Sequence, residues 1–140
     1  MSDDVPGGFV PADLGAGFGA RFGPVYMDRA LGRMGFRVSE LHVNPVDGLH
    51  GGAMATFADT QLMAIRAGAE EGRSHSPTIS LSLDYLAPAK VGDWVEAQVT
   101  MVKTTRTMLF TQAIMTVDGN PVARSSAIYR NKEDRSLDHG

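Results

Sequence analysis

Residues 51–67 constrain this chain more than any other stretch. Ala53, Met54, Ala55, Phe57, Ala58, Leu62, Met63, Ala64, Ile65 and Ala67 cover nearly the whole circumference of a helix drawn through them. A helix that is apolar on every side has no face to offer water, so it must be enclosed. The segments after it can enclose it. Beyond the loop 68–76 the period changes from 3.6 to 2, and Ile79, Leu81, Leu83 and Tyr85 alternate with Thr78, Ser80, Ser82 and Asp84. Val95, Ala97, Val99 and Met101 make the next strand. Residues 107–117 and 122–130 follow, joined by Asp118-Gly119-Asn120 as a hairpin turn.

Upstream, Phe22, Val25, Tyr26, Arg29 and Ala30 are spaced for a short amphipathic helix over 21–33. Pro24 suits its first turn, and Gly32 or Gly35 would end it. Residues 36–43 alternate as a strand, and Asn44-Pro45-Val46-Asp47-Gly48 is turn chemistry. The order is helix, strand, long buried helix, then four strands joined by short connections. That order argues an α+β antiparallel sheet and not a doubly wound one. About five strands wrapped round one long central helix is the hotdog fold. Residues 1–17 read as a loose N-terminal segment, 18–130 as one domain and 131–140 as a charged tail.

Composition excludes several chemistries. There is no cysteine, hence no disulfide, thiol nucleophile or thiolate metal site. The four histidines form no HxH or HxxxH pair, so no metal is expected. A net charge of −3 gives no footprint for nucleic acid. No apolar run approaches the roughly 18 residues of a membrane span, and the acidic start is unlike a secretory signal. The cytoplasm is the expected compartment. Gly15, Gly17 and Gly19 do not make a phosphate loop, because residue 20 is alanine and no apolar strand precedes them.

Two places carry chemistry. Asp59 lies among Phe57, Ala58, Leu62 and Met63, where a buried carboxylate is costly unless paired or used. The alternative is a carboxylate facing solvent with Thr56, Thr60 and Gln61. Arg66 is seven residues on, too far for a neighbouring-turn pair. His50-Gly51-Gly52 opens the helix. There glycines permit close approach, and unpaired amides sit at the positive end of the dipole, which is what an oxyanion hole requires. A plain loop-to-helix junction is the alternative.

Asn44-Pro45-Val46-Asp47-Gly48-Leu49-His50-Gly51-Gly52 followed by Ala58-Asp59-Thr60 resembles the signature of hotdog acyl-CoA thioesterases of the phenylacetate-pathway type. The run 84–93, from Asp84-Tyr85 to Gly92-Asp93, resembles that family's second strand and turn. The run 118–123 resembles its last hairpin. The resemblance implies hydrolysis of an acyl-CoA to acid and CoA, with no cofactor beyond the CoA of the substrate. It implies that the Gly51 amide, helped by Asn44, polarises the thioester carbonyl. Asp59 then acts as base or nucleophile, and Thr78 helps orient the water. Strict alternation, however, puts Thr78 on the face opposite Ile79. His50 would shape the turn beside Gly52. Lys90, together with Lys103, Arg106 and Thr107 on the turn between the middle strands, would contact CoA, although solvated charges on turns are an equal reading. Tyr26, Met54, Phe57, Met63 and Tyr85 are candidates for an acyl pocket.

Helix geometry adds a constraint of its own. Asp59 stands eight residues beyond Gly51, about 12 Å along an axis rising 1.5 Å per residue. One chain cannot bring both to one carbonyl, so either one of them is inert or an antiparallel second helix from a two-fold mate supplies the missing partner. The family is built this way, commonly as a dimer of dimers. A hotdog hydratase would need a histidine beside the carboxylate, with His42, His50 and His75 as candidates. A non-enzymatic acyl-CoA-binding domain is the other alternative.

Overall fold

The computed structural model describes residues 4–66 and 76–132. Its centre is a seven-stranded sheet of order β1-β2-β3-β5-β6-β7-β4, every neighbouring pair antiparallel. The strands are β1 (Val10–Pro11), β2 (Tyr26–Asp28), β3 (Arg33–Arg37), β4 (Thr78–Tyr85), β5 (Trp94–Thr104), β6 (Met108–Val117) and β7 (Asn120–Arg130). Helix α1 (Phe18–Phe22) precedes β2, and α2 (Gly51–Ala58) lies against the sheet. Strands β5 to β7 alternate as their patterns require, whereas Ile79 and Tyr85 of β4 are exposed. Val95, Ala97 and Val99 of β5 are buried, as are Ala113 and Met115 of β6 and Val122 and Ala123 of β7. They close on Met54, Phe57 and Ala58 of α2 and on Met27, Met34 and Phe36. The Phe36 ring sits 4.6 Å from that of Phe57 and 5.0 Å from that of Phe22. Asp118 and Gly119 both take left-handed backbone angles, φ 49° and 83°, the requirement of a two-residue hairpin.

Three sequence expectations need correction. The helix expected over 21–33 is one turn ending at Phe22, followed by the hairpin β2–β3. Gly35 is not a helix stop but a strand residue whose missing side chain makes room for Trp94. A Cβ there would come within 2.3 Å of the indole. The strand expected over 36–43 ends at Arg37, and a 3₁₀ turn over Glu40–His42 follows, capped by Ser39. The helix expected over 51–67 stops at Ala58, with Asp59 as its C-cap and a 3₁₀ turn over Gln61–Ala64. Side chains take the carbonyls that a longer helix would use. Thr60 Oγ1 donates to the Phe57 carbonyl at 2.7 Å, Gln61 Nε2 to that of Ala58 at 2.8 Å, and Tyr129 Oη to that of Asp59 at 3.2 Å. Ala67, like the loop to residue 75, lies outside the described residues.

Part of the segment expected to be loose is tied down. β1 pairs with β2, the Ala12 amide donates to the Val25 carbonyl at 2.8 Å, and Phe9 is buried edge-on to Trp94. At the other end Asn131 is bonded to the Thr105 and Thr107 carbonyls, and residues 133–140 are outside the described ones. The strand that positions the site is β4. It follows α2 in the chain yet lies at the edge of the sheet, paired among the described residues only with β7.

Candidate active site

The sequence-derived site residues fall into two groups, one at each end of α2. At its start, His50 is the N-cap, and its Nδ1 accepts from the Gly52 amide at 2.8 Å. The Ala53 and Met54 amides donate to the His50 carbonyl. The Gly51 amide is thereby left without a partner among the described residues, at the positive end of the helix dipole. Tyr85, at the end of β4, donates from Oη to the Gly51 carbonyl at 2.7 Å and so fixes the next peptide, the one whose Gly52 amide is held by His50.

Asn44 braces the loop that delivers His50. Its Oδ1 accepts from the Val46 and Gly48 amides, each at 3.0 Å, while its own amide donates to the Gly48 carbonyl at 2.8 Å. Asp47 adopts φ 67° inside this turn. The carboxamide's Nδ2 is the donor left over. Gly48 forms a bridge with Lys90, whose amide donates to Asp93 Oδ2 at 2.9 Å. Between these loops lies an open depression of about 880 Å³, lined by Val43, Asp47, Gly48, Pro88, Lys90 and Val91 among others.

At the far end of α2, Asp59 is exposed and not buried as its sequence neighbours suggested. Being the C-cap turns its side chain off the apolar circumference towards the edge strand. No Arg66 contact is made. Thr78 Oγ1 donates to Asp59 Oδ1 at 2.9 Å and lies 3.2 Å from Oδ2, and Tyr129 Oη lies 3.2 Å from Oδ1. Strict alternation had put Thr78 on the wrong face. The ladder with β7 instead shifts between Thr78, opposite Tyr129, and Ser80, opposite Ile128. That bulge resets the phase by one residue and turns Thr78 to Asp59.

Leu109, Tyr129 and Thr78 form one row across β6, β7 and β4, and the 105–107 turn lies just beyond it. Lys103, Arg106 and Thr107 are therefore at the Asp59 end, all exposed. Tyr85, opposite Ala123, is seven residues from Thr78, about 23 Å of strand. Within one chain, then, Asn44, His50, Gly51, Gly52, Tyr85 and Lys90 gather at one end, and Asp59, Thr78, Lys103, Arg106 and Thr107 at the other.

Several expected contributors lie elsewhere. Phe57 and Met54 are core, and Tyr26 stacks near Trp94 on the opposite sheet face. His42 is buried, with Nδ1 accepting from the Ser39 amide and Nε2 donating to the Phe22 carbonyl. No described histidine is beside Asp59, and His75 lies outside the described residues. Among the described residues no cluster of His, Asp and Glu is placed to hold a metal, and no helix is long and apolar enough to cross a membrane. Sequence reasoning missed Tyr129. Its signal was a lone tyrosine in phase with the inward small residues Ala123, Ser125 and Ala127, where a phenol needs a partner.

Comparison with known proteins agrees with this architecture. Residues 48–123 match the family model described as Thioesterase superfamily. The chain is 30% identical over 129 residues to "Putative esterase PA0474" of Pseudomonas aeruginosa, spanning 90% of this chain and 96% of that protein. It is 29% identical over 80 residues to human acyl-coenzyme A thioesterase 13, spanning 57% of this chain and 56% of that protein. A variant of the phenylacetic acid degradation protein PaaI from Thermus thermophilus superposes with a TM-score of 0.63 at 20% identity, covering 89% and 93% of the two chains. A hypothetical thioesterase protein of Streptococcus pneumoniae, solved with coenzyme A, gives 0.60 at 19%, covering 76% and 77%. The sheet of antiparallel strands closed on one central helix is the hotdog fold. The chain belongs to the thioesterase superfamily of that fold and is a thioester hydrolase.

Proposed function

We propose that the protein hydrolyses acyl-CoA thioesters at sites shared by two copies of the chain. The observation that carries this reading is the separation of the two groups along an open edge strand. β4 has eight residues, contains no proline and, among the described residues, is paired on one side only. Such an edge is a template for another strand. Antiparallel pairing of two β4 strands about their midpoint sets Thr78 of one chain beside Tyr85 of its mate. The Asp59 end of one subunit then meets the Gly51 end of the other, and two equivalent sites form.

In each site the thioester carbonyl oxygen accepts from the Gly51 amide, with Asn44 Nδ2 as second donor. Fixed donors of this kind stabilise the charge that builds on that oxygen. The Asp59 carboxylate of the mate takes a proton from water as the water oxygen bonds to the carbonyl carbon. The C–S bond then breaks, and the proton passes to the CoA sulfur, giving acid and thiol. Thr78 holds the carboxylate, His50 and the Gly52 amide set the turn, and Tyr85 holds the Gly51–Gly52 peptide that follows the Gly51 amide. Lys90 from one side, and Lys103, Arg106 and Thr107 from the other, bracket the site where CoA phosphates would lie. No separate cofactor enters the reaction. The relatives named for acyl-CoA thioesterase activity and for bound coenzyme A support this substrate class, and the cytoplasm, where acyl-CoA is formed, is its fitting compartment.

A panel of aryl-acetyl, hydroxybenzoyl and medium-chain acyl-CoAs, assayed for free thiol, tests the reading. Turnover of at least one is expected. Binding of acyl-CoA with no thiol released by any of them would refute hydrolysis in favour of a binding domain.

A further inference from the structure

We infer that Tyr129 is the positioning residue that holds Asp59 Oδ1 and presents Oδ2 to the attacking water, an assignment that rests on the hydrolytic reading above. Tyr129 is 2% exposed, and its ring is gripped in a cluster with Leu62, Leu109 and Ala127. Its hydroxyl reaches Asp59, 3.2 Å from Oδ1 and 3.2 Å from the backbone carbonyl. Thr78, directly opposite Tyr129 in the ladder, brings the second hydroxyl to the same oxygen at 2.9 Å.

A hydroxyl has a single proton to give. Thr78 spends its proton on the nearer oxygen, and Tyr129 makes no hydrogen bond to the farther one. Tyr129 shares its one proton between Oδ1 and the Asp59 carbonyl, 3.2 Å from each, so Oδ1 takes the Thr78 bond and part of the Tyr129 bond, and Oδ2 keeps its lone pairs for water. The carboxylate is fixed in rotation as well as in place, because the tyrosine reaches both its side chain and its own backbone carbonyl. Burial pushes the Tyr129 phenol well above its ordinary range, and the Asp59 charge and hydrogen bond push the same way. The phenol therefore remains a donor across the working pH range and takes no part in proton transfer itself.

Three variants test the assignment on one acyl-CoA that the protein turns over: Tyr129→Phe, Asp59→Asn and the double variant. Tyr129→Phe keeps the ring and removes only the hydroxyl. Its kcat should fall on the order of 10- to 100-fold, the cost of a misplaced reacting group, with KM within about twofold of wild type. Added to Asp59→Asn, the same change should alter the residual rate by less than about twofold, since the group it positions is already gone. A merely structural tyrosine would give the same loss in both backgrounds. Melting curves fix an assay temperature at which every variant is folded, so a lowered midpoint does not pass for a lost rate. A wild-type kcat in Tyr129→Phe, or a full repeat of its loss in the Asp59→Asn background, overturns the Tyr129 assignment alone. A wild-type kcat in Asp59→Asn overturns the hydrolytic role of Asp59 itself.

Discussion

Gln61 is completely buried, and its amide joins the end of α2 to the sheet. Nε2 donates to the Ala58 carbonyl at 2.8 Å and to Ser125 Oγ at 2.9 Å, and Oε1 accepts from Thr111 Oγ1 at 2.7 Å. Gln61→Leu keeps the bulk and removes all three bonds, stranding one carbonyl and two hydroxyls away from water. Each stranded group costs about 1–3 kcal/mol. Partial relief, by the two hydroxyls turning towards one another, brings the expected total to about 3–5 kcal/mol. That is a large part of the roughly 5–15 kcal/mol that holds a domain folded. At about 3 °C per kcal/mol for a chain of this size, the midpoint should drop by about 10–15 °C. The assay is thermal unfolding at one fixed protein concentration, because association of copies also raises the midpoint. Adding Thr111→Val and Ser125→Ala removes the stranded hydroxyls and should recover more than half of the loss. A midpoint within about 2 °C of wild type for Gln61→Leu, or no recovery in the triple variant, refutes the reasoning.

The shared site predicts complementation. Asn44→Ala and Asp59→Asn should each lose at least about 100-fold in rate. Refolded together in equal amounts, they should give mixed pairs about half the time and regain about a quarter of wild-type activity; no recovery with mixed pairs confirmed by mass would sink the shared site. Arg106→Ala should raise KM several-fold for acyl-CoA but not for a short thioester lacking the nucleotide, and the difference should shrink as salt is added. Equal effects on both substrates would remove Arg106 from the nucleotide contact. His42 is held below its ordinary value of 6.5 chiefly by burial, against the bond to the Phe22 carbonyl. The neutral ring therefore contributes stability in full above that value and loses it as pH falls below it, since the unfolded chain takes up the proton first. Midpoints measured from about pH 7 to 5 should fall more steeply for wild type than for His42→Gln, and parallel curves would exclude this contribution.

The fold class, the strands from 78 to 130, the 118–119 hairpin and the turn at 44–48 are legible in the order of residues alone. These are set by local rules: alternation that needs one buried face, and residues that tolerate left-handed backbone. The order of residues also placed His50-Gly51-Gly52 at the start of a helix and showed that Gly51 and Asp59 are too far apart to serve one carbonyl of one chain. The tertiary structure decided the rest. An apolar circumference cannot say where a helix ends, because the ending lies in partners from distant strands. Tyr129, 70 residues on, takes the carbonyl of Asp59, while Ser125 and Thr111 hold the Gln61 amide that takes the carbonyl of Ala58. The hairpin β2–β3 prevailed over a helical spacing because Gly35 leaves room for Trp94, a packing requirement that no window of local sequence contains. Thr78 reaches Asp59 only through a bulge, and a bulge is a mismatch between two strands, so neither strand's own pattern records it. Which strand is left with an open side at the edge is likewise a property of the whole sheet, and the proposed shared site depends on it.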